Sequence, residues 1–146
     1  MAPVAEPQFD DLYREILLDH YRRPRNRGRL ANATVHREGA NPVCGDEVAI
    51  DVRIGDHTIE AIAFEGQGCS ISQSSVSLMT ERLKGRPVEE AREVAGKFEA
   101  MLVDGAEPDA SLGDLEALQG VAKFPVRVKC ALLGWKVLRE AIDSRS

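Results

Sequence analysis

The three cysteines of this sequence are the residues best suited to chemistry, and each has neighbours that favour a turn or a helix start. Cys44 lies in Asn-Pro-Val-Cys-Gly-Asp, Cys69 in Gly-Gln-Gly-Cys-Ser-Ile-Ser, and Cys130 in Arg-Val-Lys-Cys. A secreted disulfide framework normally has an even number of closely spaced cysteines, whereas this set is odd and widely spaced. We therefore expect thiols, metal ligands or catalytic groups, with three buried structural cysteines as the simpler alternative.

A fourth ligand for a metal ion held by three cysteines is available at Asp46, two residues after Cys44. Residues i and i+2 of an extended chain point to the same side, so both side chains could face one centre. Three thiolates and a carboxylate suit tetrahedral Zn²⁺, with the carboxylate as the most exchangeable ligand. Paired CxxC motifs, which are typical of structural zinc sites, are absent from the sequence. The spacing alone therefore leaves metal binding open.

The environment of the cysteines is predicted from their positions near helix starts. Cys69 and Cys130 are each expected near a helix N-terminus, where the helix dipole favours the thiolate. Five serines between Ser70 and Ser77 predict helix capping and close packing, with space for a metal, a sulfide or a loop of a partner as the alternative. No histidine adjoins a cysteine, and we expect all three at the surface rather than as ligands: His20, His36 and His57.

The elements that must position these residues follow from hydrophobic periodicity. A helix is predicted from Phe9 to about Tyr21, after a flexible tail over residues 1–8. A short strand and a hairpin turning at Gly55-Asp56 predict a small sheet of about three antiparallel strands. The fold class is therefore α+β: an N-terminal helix, this sheet, then several helices packed on one face, all in a single domain over 9–146. The predicted later elements are strands 33–37, 47–54 and 58–65, and helices from about 71 to 85, 87–103, 111–119 and 125–143.

Composition limits the class of protein. The chain has 146 residues, is 43% hydrophobic and carries a net charge of −5, which argues against a general nucleic-acid binder. No apolar run approaches the length of about 20 residues that crosses a membrane, and the first residues do not resemble a secretory signal. We expect a cytoplasmic protein without a membrane partner. Five arginines between Arg22 and Arg29 predict either a solvated basic loop or a docking surface.

Four segments together resemble the U-type scaffold family of iron–sulfur cluster assembly. Segments 41–46, 66–72 and 127–130 resemble its three conserved blocks, and 21–28 is similar to its Tyr-x-x-Pro-Arg-Asn-x-Gly element. Lys129 stands where the IscU branch has a histidine, and the chain between Cys69 and Cys130 is longer, by a segment near 85–119. Both features resemble the SufU branch, whose members are zinc-dependent sulfurtransferases that act with a SufS-type cysteine desulfurase.

The resemblance implies zinc held by Cys44, Asp46, Cys69 and Cys130, and a fold that covers nearly the whole chain. It implies that Cys44 accepts persulfide sulfur after a histidine of the desulfurase replaces it on the zinc. Arg127 is then placed to steady a thiolate or persulfide, or else forms a surface ion pair. Downstream iron–sulfur assembly proteins are implied as further partners. The alternatives are a scaffold that carries a [2Fe–2S] cluster and a zinc-stabilised binding module without chemistry.

Overall fold

Three antiparallel strands, paired in the order of the chain, follow an N-terminal helix and precede the remaining helices. The computed structural model describes the backbone of residues 5–144 and the side chains of residues 12–144. The predicted α+β fold is confirmed. The elements are α1 Ala5–Arg22, β1 Val35–Asn41, β2 Asp46–Gly55, β3 Thr58–Gln67, α2 Ser70–Leu83, α3 Val88–Val103, a 3₁₀ segment Ala110–Lys123 and α4 Pro125–Asp143.

The sheet turns its apolar face to the helices. Val48, Ile50 and Val52 alternate along β2 and are each at most 2% exposed, as the period of two predicts. Helix α4 packs close to this sheet. A Cβ atom added to Gly39 of β1 would lie only 2.5 Å from a methyl group of Val137. A glycine on the edge strand therefore lets α4, the helix that carries Cys130, approach the sheet.

Close packing of α2 on α4 explains the serine-rich start of α2. Ser75 Oγ donates to the carbonyl oxygen of Ala131 at 2.7 Å and accepts from Trp135 Nε1 at 3.3 Å. A Cβ atom on Gly134 would lie 2.9 Å from Val76. The expected role of the serines in tight packing is confirmed at Ser75, where the hydroxyl satisfies groups that two close helices would otherwise leave unpaired.

The boundaries of several elements differ from the prediction. Helix α1 begins at Ala5 rather than Phe9, so that residues 5–8 of the predicted tail are helical backbone, while residues 1–4 lie outside the described residues. The division into a flexible tail over 1–8 and a domain over 9–146 stays a prediction. The helix predicted at 111–119 is part of a 3₁₀ segment with a kink at Gly113, where φ is 57°.

The arginine-rich loop is folded back on the protein. Arg23 and Arg25 each pair with Asp19, at 2.5 and 2.6 Å, and Arg29 Nε donates to Asp51 at 2.8 Å. Arg23 and Arg29 nevertheless remain 83% and 59% exposed, as a solvated loop predicts, while Arg25 is only partly exposed. The ion pairs fasten the loop to α1 and to the sheet.

His20 is not the surface group that we expected. It is 2% exposed, and its Nδ1 lies 2.8 Å from Ser77 Oγ at the contact between α1 and α2. Burial lowers the pKa of His20, with a further contribution from the Arg25 cation. Sequence reasoning missed this because the partner serine is far away in the chain. His57, in the turn after β2, is exposed as expected.

Among the described helices, none has the combination of length and apolar character that crossing a bilayer demands.

Candidate metal centre

Cys44 is carried by the four-residue connection that joins β1 to β2. Asn41 and Asp46 pair across the end of the hairpin, and the Cys44 N–H donates to the Asn41 carbonyl at 3.1 Å. Gly45 has a φ of +71°, a conformation that glycine adopts readily. This turn therefore directs the side chains of Cys44 and Asp46 towards one centre. The extended backbone predicted between these two residues is wrong.

Two of the predicted sulfur ligands and the carboxylate form a compact group. One ligand atom each of Cys44, Asp46 and Cys130 lies within 4.8 Å of the other two. The sulfur atoms of Cys44 and Cys130 are 3.0 Å apart, well beyond the bonded distance of about 2.05 Å, and both cysteines are free thiols. Cys44 is partly exposed, whereas Asp46 and Cys130 are 0% exposed. The loop, β2 and α4 thus each contribute one group.

Cys69 joins this centre through its backbone. It is the N-cap residue of α2, and its N–H donates to Asp46 Oδ1 at 3.0 Å. Its side chain is partly exposed, and its sulfur is not one of the three atoms of the compact group. The structure thus brings three of the four predicted ligands together and places the fourth beside them.

Asp46 has one oxygen that nothing in the described chain satisfies. Oδ2 is buried and has no hydrogen-bond partner there, while Oδ1 is used by Cys69. Leaving a buried charged acceptor unpaired is costly, so such groups normally bind a cation or a donor. A zinc ion accounts for both this oxygen and the adjacent thiols, because Zn²⁺ accepts sulfur and carboxylate ligands. The residues present therefore fit the metal.

Gly68, which directly precedes Cys69, lets the backbone approach Asp46 closely. A Cβ atom there would lie 2.3 Å from Asp46 Oδ1 and 2.8 Å from Ser72 Oγ, and its φ of +152° also favours glycine. Asn41 is a site residue that the sequence analysis missed, and its Nδ2 lies 4.0 Å from the sulfur of Cys130. In the sequence, the feature that points to Gly68 and Asn41 is their position in the Gly-Gln-Gly-Cys and Asn-Pro-Val-Cys segments.

Residues 12–144 match the profile of the family described as NifU-like N terminal domain. The chain belongs to this family. It is similar to the zinc-dependent sulfurtransferase SufU of Bacillus subtilis, at 45% identity over 92% of this chain and 91% of that relative. It is also similar to the iron–sulfur cluster assembly scaffold protein IscU of Streptococcus pyogenes, at 42% identity over 95% and 87%.

A solved structure supports the same family assignment. The chain is similar to an iron–sulfur cluster assembly scaffold protein described for the SUF system of Fervidobacterium islandicum AW-1. The identity is 38%, the TM-score is 0.82, and the match covers 87% of this chain and 93% of that one. The resemblance inferred from the four sequence segments is confirmed.

In this NifU-like domain, Cys130 does not have the environment predicted for a helix N-terminus. It is the sixth residue of α4, in the second turn, where the helix dipole has weakened. Burial raises the pKa of the Cys130 thiol, and its neighbours Cys44 and Asp46 raise it further. A divalent cation reverses this balance because it binds the thiolate form. The thiolate form of Cys130 would therefore depend on a bound cation rather than on the dipole of α4.

Arg127 lies at the entrance of α4 rather than inside the compact group. Its side chain is exposed, three residues before Cys130, and its backbone N–H donates to the Phe124 carbonyl at 2.8 Å. Within the described residues no carboxylate lies at ion-pair distance from it, so the surface ion pair is not found there. Its predicted contact with sulfur stays a prediction.

Proposed function

We propose that this protein accepts sulfur from a SufS-type cysteine desulfurase at a zinc centre and passes it on for iron–sulfur cluster assembly. The observation that carries the proposal is the unpaired, buried oxygen of Asp46 beside the thiols of Cys44 and Cys130. The name of the Bacillus subtilis relative, a zinc-dependent sulfurtransferase, supports the same function. The zinc ligands are Cys44, Asp46, Cys69 and Cys130, and bound zinc keeps their thiols deprotonated.

Cys44 is the sulfur acceptor because of where it lies. It is partly exposed on a hairpin connection, next to Val43, which is 76% exposed. Cys130 is 0% exposed behind it, and Cys69 lies at the start of α2. A partner protein that approaches the hairpin meets Cys44 first, whereas it has no direct access to Cys130.

The transfer is a thiol–persulfide exchange. The Cys44 thiolate attacks the outer sulfur of the donor persulfide, a new sulfur–sulfur bond forms on Cys44, and the donor's sulfur–sulfur bond breaks. The donor cysteine leaves as a thiolate, so that no net oxidation occurs and no external electron carrier is needed. Arg127 steadies the negative charge near the entrance of α4. We place the reaction in the cytoplasm, with iron–sulfur assembly proteins as acceptors.

The test is the turnover of a SufS-type desulfurase with and without the zinc-loaded protein, in the absence of iron. We expect strong stimulation that Cys44→Ala abolishes, with Ser70→Ala as a control that leaves the centre's ligands intact. Cys44→His separates transfer from mere metal binding, because it retains a zinc ligand but loses the acceptor thiol. Stimulation that persists in Cys44→His would contradict sulfur transfer through Cys44.

A scaffold role is a second candidate, because the Streptococcus pyogenes relative bears the name of a cluster assembly scaffold. Three cysteines and a carboxylate can also ligate iron. The scaffold role predicts that iron, cysteine and the desulfurase produce a stable visible absorption on this protein. The sulfur-transfer role predicts labelling of Cys44 without such a chromophore.

A further inference from the structure

The side chain of Asn41, the last residue of β1, reaches the metal centre. Its Nδ2 lies 4.0 Å from the sulfur of Cys130. Resting on the proposed function, we propose that the Asn41 amide donates a hydrogen bond to the metal-bound sulfur of Cys130 and so keeps Cys130 on the metal while Cys44 reacts. Asn41 is then a positioning residue that determines which cysteine carries the transferred sulfur, without touching the donor persulfide itself.

The packing of β1 on α4 directs this amide. Asn41 comes two residues after Gly39 and lies on the same face of the strand. At Gly39 the strand meets α4, because an added Cβ atom would lie 2.5 Å from Val137. Val137 comes seven residues after Cys130, which is about two turns along the same face of the helix. The approach of Asn41 to Cys130 therefore belongs to one continuous contact between strand and helix.

The hairpin that carries Cys44 does not use the side chain of Asn41. The backbone carbonyl of Asn41 accepts from the Cys44 N–H at 3.1 Å, and Asn41 pairs with Asp46 through the strand backbone. A residue of another type could supply both of these interactions. The contact with Cys130 is the one hydrogen bond that the described chain shows for the amide of Asn41. The amide is therefore explained by the sulfur rather than by the turn.

The other contacts of the Cys130 sulfur do not stabilise a thiolate. The sulfur lies 3.7 Å from the Val126 carbonyl oxygen and 3.0 Å from the Cys44 sulfur, and both of these atoms are acceptors. Cys130 is 0% exposed, so bulk water is kept away from it. Among the described residues, Asn41 supplies the one N–H donor at this sulfur. A thiol is a weak acceptor, whereas bonds to a charged acceptor are shorter and stronger, so we expect this contact to tighten when the thiolate forms.

The two cysteines of the compact group are therefore unequal. Cys130 accepts from Asn41, whereas no N–H group of the described chain lies at hydrogen-bond distance from the Cys44 sulfur. A hydrogen bond stabilises the charge of a thiolate and makes the thiolate a weaker nucleophile. Donors around a metal site also orient its ligands and raise the affinity for the metal. The partly exposed Cys44 is thus the more nucleophilic thiolate, and Cys130 is the ligand that stays bound.

The first test measures zinc affinity by competition with a chromophoric chelator, in full-length Asn41→Leu and Asn32→Leu. Asn32 is the matched control, because it is an exposed asparagine in the loop before β1. We expect Asn41→Leu to bind zinc about tenfold more weakly than the wild type and Asn32→Leu to bind it equally well. Asn41→Gln keeps the amide and should recover most of the affinity. Equal affinities of Asn41→Leu and Asn32→Leu would overturn the proposal.

Cobalt(II) bound in place of zinc reports on the sulfur itself. A hydrogen bond lowers the energy of the sulfur lone pairs, so its loss should move the sulfur-to-cobalt charge-transfer absorption to longer wavelength. We expect this shift in Asn41→Leu and not in Asn32→Leu, whereas a merely structural role of Asn41 would not move the band. If Asn41→Leu does not fold, Asn41→Ala removes the same donor without adding bulk. An unmoved band in either folded Asn41 variant would overturn the proposal.

The choice of cysteine is tested by incubating the zinc-loaded protein with glutathione persulfide and analysing each cysteine peptide by mass spectrometry. We expect the added sulfur on Cys44 alone in the wild type, and on both Cys44 and Cys130 in Asn41→Leu. A released Cys130 thiolate, 3.0 Å away, can attack the outer sulfur of the Cys44 persulfide, with Cys44 leaving as the thiolate. Sulfur confined to Cys44 in Asn41→Leu would overturn the selective role of Asn41.

Failure of the proposed function is distinguishable from failure of this inference. The zinc and cobalt measurements use no sulfur donor, so they decide the hydrogen bond from Asn41 to Cys130 by themselves. If the wild type accepts sulfur neither from a desulfurase nor from glutathione persulfide, the proposed function fails and the selective role of Asn41 fails with it.

Discussion

Two buried aspartates on the same strand, Asp46 and Asp51, have opposite surroundings. Asp51 is 2% exposed, and both of its oxygens are satisfied: His36 Nδ1 lies 2.5 Å from Oδ1, while Arg29 Nε and the Leu30 N–H donate to Oδ2 at 2.8 and 2.9 Å. Asp46 is 0% exposed, and its Oδ2 has no partner in the described chain. Burial alone therefore does not separate a structural carboxylate from a ligand, whereas the hydrogen-bond partners do.

The two sites also differ in how charge is balanced. Burial alone would raise the pKa of Asp51, but the hydrogen bonds from Arg29, the Leu30 N–H and His36 outweigh burial and lower it. The protein itself thus completes the Asp51 site. At Asp46 the thiols of Cys44 and Cys130 lie within 4.8 Å, and these groups become negative when they ionise. That site is completed only when a cation binds.

The largest expected effect is that of zinc on thermal stability. Adding zinc to the metal-free protein should raise the melting temperature by on the order of 10 °C, because binding energy at a site formed only in the folded state adds to folding stability. Calorimetry with and without a chelator measures this. Asp51→Asn should keep the zinc-dependent increase and Cys130→Ala should lose it. An equal increase in both variants would contradict a metal centre at Cys130.

Removing the carboxylate of Asp51 should weaken the fold. Asp51→Ala leaves the Leu30 N–H and His36 without their partner, so we expect the free energy of unfolding to fall by about 3 kcal/mol in urea titration. Glu38→Ala is the control, because Glu38 is 71% exposed and also contacts His36, at 2.9 Å. A loss no greater than that of Glu38→Ala would show that the Asp51 network is not structural.

Replacing the carboxylate of Asp46 should instead increase the free energy of unfolding. Asp46→Asn retains an oxygen for the Cys69 N–H and replaces the unpaired Oδ2 by an amide nitrogen that can donate to the neighbouring sulfur atoms, so the metal-free protein should gain about 1 kcal/mol. Urea unfolding of Asp46→Asn and Asp51→Asn, both in chelator, makes the comparison direct. If both variants lose stability equally, the distinction between the two aspartates is wrong.

The smallest effect concerns pH. Hydrogen bonds to Glu38 and Asp51 raise the pKa of His36 above 6.5, so its stabilising contribution is complete below that value and is lost as pH rises through the folded pKa. The lowered pKa of Asp51 makes its contribution complete above 3.8 and lost as pH falls through the folded pKa. The His36–Asp51 pair therefore contributes most to folding stability between pH 3.8 and pH 6.5.

The measurement is urea unfolding of the metal-free wild type and His36→Gln, at about pH 5.5 and about pH 8.5. The difference in the free energy of unfolding between the wild type and His36→Gln should be larger at the lower pH. Comparing two proteins at each pH cancels the contribution of His20, which is present in both and whose pKa burial lowers. A difference that does not change with pH would exclude a charged His36–Asp51 pair.

Local periodicity predicted most of the fold. The alternation in β2 and the helical spacing in α4 gave those elements nearly at their observed bounds. The prediction was poorer for β1, placed at 33–37 but found at Val35–Asn41, because this edge strand contains Gly39 and Ala40 rather than an alternating apolar pattern. Its register, which pairs Asn41 with Asp46, depends on contacts that no local pattern encodes.

The site depended more on resemblance than on spacing. Family motifs grouped Cys44, Asp46, Cys69 and Cys130, and the structure brings all but the sulfur of Cys69 into one compact group. The hairpin turn that positions Cys44 and Asp46 was mistaken for an extended stretch. The partners of His20 and Asp51 come from distant parts of the chain, so no local sequence pattern indicates either network.

The most direct test of the central claim is mass spectrometry of the zinc-loaded protein after incubation with a SufS-type desulfurase and cysteine, without iron. Peptides that contain Cys44, Cys69 and Cys130 are analysed separately under conditions that preserve persulfides. The account predicts the added mass of one sulfur atom on the Cys44 peptide, in the wild type and in Asp51→Asn, and none after Cys44→Ala. Sulfur found on Cys69 or Cys130 instead, or on no cysteine, would contradict it.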